Sequence, residues 1–60
     1  MPWERAQALL GRGRCLLALK RASDATEPLR DAREIFAALG ARPMLGETDS
    51  LLERAIALTS

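Results

Sequence analysis

The segment Ala25–Leu39, ATEPLRDAREIFAAL, constrains the fold more than any other stretch of this chain. Its apolar residues, Ala25, Leu29, Ala32, Ile35, Phe36 and Leu39, recur at the spacing that places them on one face of an α-helix. Glu27, Arg30, Asp31, Arg33 and Glu34 fall between them and gather on the opposite face. A helix with one apolar stripe cannot bury it alone. It needs a helical neighbour on each side, and the flanking segments carry the apolar residues to supply both. The chain is therefore expected to be a helical packing unit.

Composition agrees with an all-α fold. Apolar residues make up 48% of the chain, yet there is no Tyr and no Val, and the only Ile residues are Ile35 and Ile56. Strands draw on β-branched and aromatic side chains, whereas Ala, Leu, Arg and Glu are helix formers. Sixty residues allow one small domain or a piece of a larger protein. A domain of this length buries only about 60% of its unfolded surface, so its stability is marginal.

Three helices are predicted. Helix A runs from about residue 3 to 19, with Pro2 suited to a helix start and Glu4 complementing the helix dipole. Its stripe is Ala6, Leu9, Leu10, Gly13, Leu16 and Leu17. Helix B runs from about 24 to 39. Asp24 with Glu27 resembles a capping box, Ser23 is an alternative cap, and Pro28 falls near the first turn. Gly40 is placed to stop it as a left-handed residue. Helix C runs from about 43 to 58, opened by Pro43. It shows Met44, Thr48, Leu51, Ala55 and Leu58 on one face, with Leu45, Leu52 and Ile56 beside them. A competing start at Ser50, with Glu53 as its box partner, is less favoured because Met44 and Leu45 continue the same stripe. The short connections imply antiparallel neighbours.

Gly11 and Gly13 stand out, because each costs about 1 kcal/mol relative to Ala inside a helix. Gly13 lies on the stripe, so a close helix–helix approach explains it, with Ala25 expected opposite. Gly11 has no such explanation. The string Gly11-Arg12-Gly13-Arg14 lacks the third Gly, the Lys-Ser/Thr pair and the preceding strand of a phosphate loop.

Few function classes survive this inventory. Net charge is +1, distributed unevenly. Arg5, Arg12, Arg14, Lys20 and Arg21 oppose only Glu4 in the first third, while the later segments are acidic, so neutralisation between helices is expected. A nucleic-acid face normally interleaves aromatic or amide groups with its basic ones, and here only Trp3 lies near. A helix-turn-helix reader needs a polar, basic third helix. Helix C instead carries Glu47, Asp49 and Glu53 against Arg54. Cys15 is the sole cysteine and there is no His, so neither an internal disulfide nor a Cys–His nucleophile can form. No catalytic residue, cofactor, metal or small-molecule ligand is expected. With no signal peptide and no apolar run near the ~20 residues of a membrane span, the expected location is the cytoplasm.

Helices A and B together resemble one tetratricopeptide repeat, a helix–turn–helix unit of about 34 residues. Gly13 matches that family's small helix A position and Leu16 the large residue after it. Ala25, Leu29 and Ala32 match the helix B positions. Leu9, Arg12 and Ala37 stand where Trp, Leu and Pro are typical, and helix B runs a turn longer before Gly40. Helix C would then open a following repeat or close the stack. The run around Phe36-Ala37-Ala38-Leu39-Gly40-Ala41 is similar to degenerate repeats at the C-terminal ends of large bacterial signalling proteins. These are LuxR-type ATP-binding transcriptional activators and class III nucleotide cyclases carrying an ATPase module. The resemblance spans roughly residues 4–58 and implies a non-catalytic protein-interaction segment, any catalysis residing elsewhere in a parent chain. The expected partner is protein, either neighbouring repeats or a second copy in a dimer. Trp3, Met44, Leu45, Leu51, Leu52 and Ile56 are the candidate interface residues.

Overall fold

The computed structural model describes residues 2–59 and contains three α-helices: α1 Pro2–Ala18, α2 Ala22–Leu39 and α3 Arg42–Thr59. No strand occurs among the described residues. The fold is all-α, an antiparallel helical hairpin with a third helix. α2 is the middle element, packed along its length against both neighbours, while α1 and α3 hardly touch each other. The overall extents are 29 × 16 × 14 Å, so the helices lie along one long direction.

The core is built mainly from small residues. Ala6, Leu10, Ala25, Leu29, Ala32, Phe36 and Ala55 are buried together, ringed by half-buried Leu9, Leu16, Leu17, Ile35, Met44, Leu45, Leu51 and Leu52. Phe36 is the largest wholly buried side chain. The Trp3 ring meets it edge-to-face, with centroids 5.5 Å apart and planes at 73°. Such a pair adds about 0.5–1.5 kcal/mol beyond its buried area. Thr48 is buried too. Its hydroxyl donates to the Met44 carbonyl at 2.7 Å, so no polar atom is left unsatisfied there.

Both inter-helix turns use one device. At the end of α2, Gly40 has φ 69° and ψ 23°, its N–H donates to Ala37, and the Ala41 N–H donates to Phe36. This double bond pattern is a Schellman stop. Gly40 is therefore the left-handed residue expected from sequence. α1 ends the same way one connection earlier, with Lys20 in the glycine-like place. Lys20 has φ 61°, its N–H donates to Leu17 at 3.0 Å, and the Arg21 N–H donates to Leu16 at 2.8 Å.

That early stop moves the start of α2. It begins at Ala22, ahead of the expected Asp24 or Ser23 cap, and Arg21 occupies the cap position without a side-chain bond to the helix's free backbone N–H groups. Starting there buries Ala22. Asp24 becomes a first-turn residue, where its carboxylate complements the helix dipole and accepts from Arg21 Nε at 2.8 Å. Pro28 consequently lies inside α2, beyond its first turn, and its missing N–H leaves the Asp24 carbonyl without its usual donor. α3 begins at Arg42, not Pro43, and runs unbroken through Ser50, which excludes the competing start.

Gly13 is buried where α1 and α2 cross. A Cβ there would stand 2.5 Å from Leu29 Cγ and 3.3 Å from Leu29 Cδ1. The group nearest the notch is therefore Leu29, with Ala25 buried in the same core. Leu29 is long enough to reach across the crossing, whereas the Ala25 methyl is short.

Candidate functional site

The repeat-like positions converge on the α1–α2 contact. Gly13, Ala25, Leu29 and Ala32 are buried and Leu16 is half-buried. Of the candidate interface residues, Met44, Leu45, Leu51 and Leu52 are half-buried against the core, whereas Trp3 and Ile56 remain 44% and 45% exposed. The outward side of α3 carries Gly46, Ser50, Glu53 and Ala57, all exposed. Most of the apolar arc of α3 is thus spent on α2. Leu39, at 45% exposure, is an accessible apolar residue that the sequence reading did not include among the interface candidates.

The charges of α2 are divided by its two neighbours. The sequence places Glu27, Arg30, Asp31, Arg33 and Glu34 on one opposite face, but a helix flanked on both sides has two polar margins. Arg33 faces α3 and its Nε donates to Asp49. Glu27, Asp31 and Glu34 instead border α1 along the side of the hairpin away from that contact. The expected neutralisation between helices is correspondingly partial. Arg14 pairs with Glu47 of α3, and Arg21 pairs locally with Asp24. Among the described residues, Arg5 and Arg12 of α1, and Glu27, Asp31 and Glu34 of α2, form no ion pair.

These five charges line two open depressions between α1 and α2 that meet at Asp31 and together make a furrow. The first, near the start of α1, encloses about 550 Å³ and is bordered by Pro2, Arg5, Asp31, Glu34, Ile35 and Leu39. The second, toward the α1–α2 turn, encloses about 520 Å³ and is bordered by Leu9, Arg12, Leu16, Glu27, Pro28 and Asp31, together with the Arg21–Asp24 pair and Ser23. The buried Pro28 borders the second of these depressions. The sequence signal for the furrow is a second, narrower periodicity beside the core stripe. Arg5, Leu9, Arg12 and Leu16 recur on one margin of α1, as Glu27, Asp31 and Glu34 do on one margin of α2.

Chemically reactive groupings are sparse. Among the described residues no set of three or more His, Cys, Asp or Glu is placed to hold a metal ion, and Cys15 is exposed. No helix among them is long and apolar enough to cross a membrane. Comparison with protein families, with curated proteins and with solved structures finds no match to this chain.

Proposed function

We propose that this chain is a non-catalytic protein-interaction module, a tetratricopeptide-like helical repeat segment that acts by packing against other protein. One observation carries the reading. α2 packs along its length against both α1 and α3, which have much less contact with each other, as consecutive helices of a repeat stack do. In such a stack each unit leaves a face for the next, and association covers it. The buried Gly13, Ala25, Leu29 and Ala32 support the repeat assignment, since small and notch-filling residues at those positions let α1 and α2 lie close. The resemblance of the Phe36–Ala41 run supports reading the module as a terminal segment of a bacterial signalling or transcriptional regulator in the cytoplasm. Catalysis or DNA binding would then belong to other parts of the parent.

The test is thermal coupling. Two idealised helix–turn–helix repeats are fused ahead of residue 2, and unfolding is followed by circular dichroism. A repeat module melts with its neighbours as one transition, at a higher temperature than the isolated chain, because nearest-neighbour interfaces add stability. Two independent transitions, with this chain's unchanged, would refute the reading. A DNA reader would instead bind a random duplex with a steep salt dependence, and no such binding is expected.

A further inference from the structure

We infer that the α1–α2 furrow binds a second copy of this chain, around a two-fold axis that runs along the furrow parallel to the helices. This deepens the interaction-module reading and rests on it. Leu9 and Leu16 from α1 and Ile35 and Leu39 from α2 line the furrow between its charges. The furrow is mainly apolar near the start of α1 and mainly polar toward the α1–α2 turn. Its margins carry opposite charge: Arg5 and Arg12 on α1, and Glu27, Asp31 and Glu34 on α2. None of these five has an ion-pair partner among the described residues.

Charge selects the geometry. A two-fold contact is self-complementary, so each margin meets a margin of the same furrow on the other copy. An axis across the helices would lay α1 on α1 and α2 on α2, setting Arg against Arg and carboxylate against carboxylate. An axis along the helices lays α1 of one copy over α2 of the other, at the same height. Heights follow from the furrow itself. Arg5 shares one end with Asp31 and Glu34, and Arg12 shares the other with Glu27 and Asp31. Each arginine therefore meets carboxylates of the second copy, twice over by symmetry. The result is a four-helix arrangement of two α1–α2 hairpins, with each α3 outside it.

Sedimentation equilibrium of the full chain at low salt tests this, with circular dichroism confirming that each variant is folded. The chain is expected to sediment at twice its 6.6 kDa mass at micromolar concentration. Arg12→Glu and Glu27→Arg each turn two attractive pairs repulsive and should weaken association about ten-fold. The double variant restores the pairs with exchanged signs and should recover it. Arg5→Glu, Glu34→Arg and their combination repeat the test at the other end of the furrow, so one poorly folding variant does not remove it. A dimer insensitive to all these swaps would overturn the furrow contact while leaving an association module that uses another face. A dimer strengthened by Arg12→Glu would show the crossed arrangement and overturn the axis. A monomer at all concentrations would overturn the inference outright. Thermal coupling to fused repeats would still separate that result from failure of the module reading.

Discussion

Two glycines of α1, two residues apart, should respond to alanine in opposite directions. Gly11 has nothing within 4 Å of where a Cβ would stand, so Gly11→Ala adds a methyl to open space. The gain is the ordinary helix-propensity difference, about 0.5–1 kcal/mol. Gly13→Ala makes the same gain but sets its methyl 2.5 Å from Leu29 Cγ. Cγ is the branch point of a wholly buried side chain, so moving it about 1 Å to ordinary contact displaces the core around Phe36 and Ala32. Overpacking of this kind costs about 1–3 kcal/mol. Subtracting the propensity gain leaves a net loss of up to about 2 kcal/mol. For a chain this short, 1 kcal/mol moves the melting temperature by roughly 4–8 °C. Thermal melts by circular dichroism, at one fixed protein concentration because association couples to stability, should show Gly11→Ala melting several degrees above the parent. Gly13→Ala should melt at or below it. Leu29→Ala should then remove the penalty of Gly13→Ala, so the two are non-additive. A Gly13→Ala protein that gains as much as Gly11→Ala would show that the helices do not approach at Gly13.

The two turns make a second opposed pair. Lys20 and Gly40 occupy equivalent left-handed positions, at φ 61° and 69°. A side chain costs about 1–2 kcal/mol there. Lys20→Gly should therefore raise the denaturant midpoint and Gly40→Ala lower it, each with an unchanged m-value. Phe36→Ala should be worse than either. Loss of the largest buried side chain costs about 3–5 kcal/mol. A 60-residue chain has only about 3–9 kcal/mol in total at 0.05–0.15 per residue. Most helical circular-dichroism signal should be lost at 25 °C, and retention of a cooperative melt would mean that the Trp3–Phe36 cluster is not the centre of the core.

What the sequence determined by itself was everything with a local cause. The apolar period of Ala25 to Leu39 made α2 a helix that needs two neighbours, and Gly40 made its end, because backbone conformation there depends on one residue lacking a Cβ. The scarcity of β-branched and aromatic residues left little material for strands. What the tertiary structure decided was every choice between partners. Lys20 is a poor left-handed residue by its own preference, and it holds that conformation where α1 must stop for α2 to fold back. The start of α2 moved to Ala22 because burial there outweighed the side-chain caps offered by Ser23 and Asp24. Gly13 received the Leu29 side chain as its nearest neighbour because reach across a crossing depends on side-chain length in three dimensions. One polar face on a helical projection became two, with Arg33 facing Asp49 and Glu27, Asp31 and Glu34 bordering α1. A periodicity specifies which residues share a side of one helix, whereas the neighbour that lies against each margin is set by how whole helices pack.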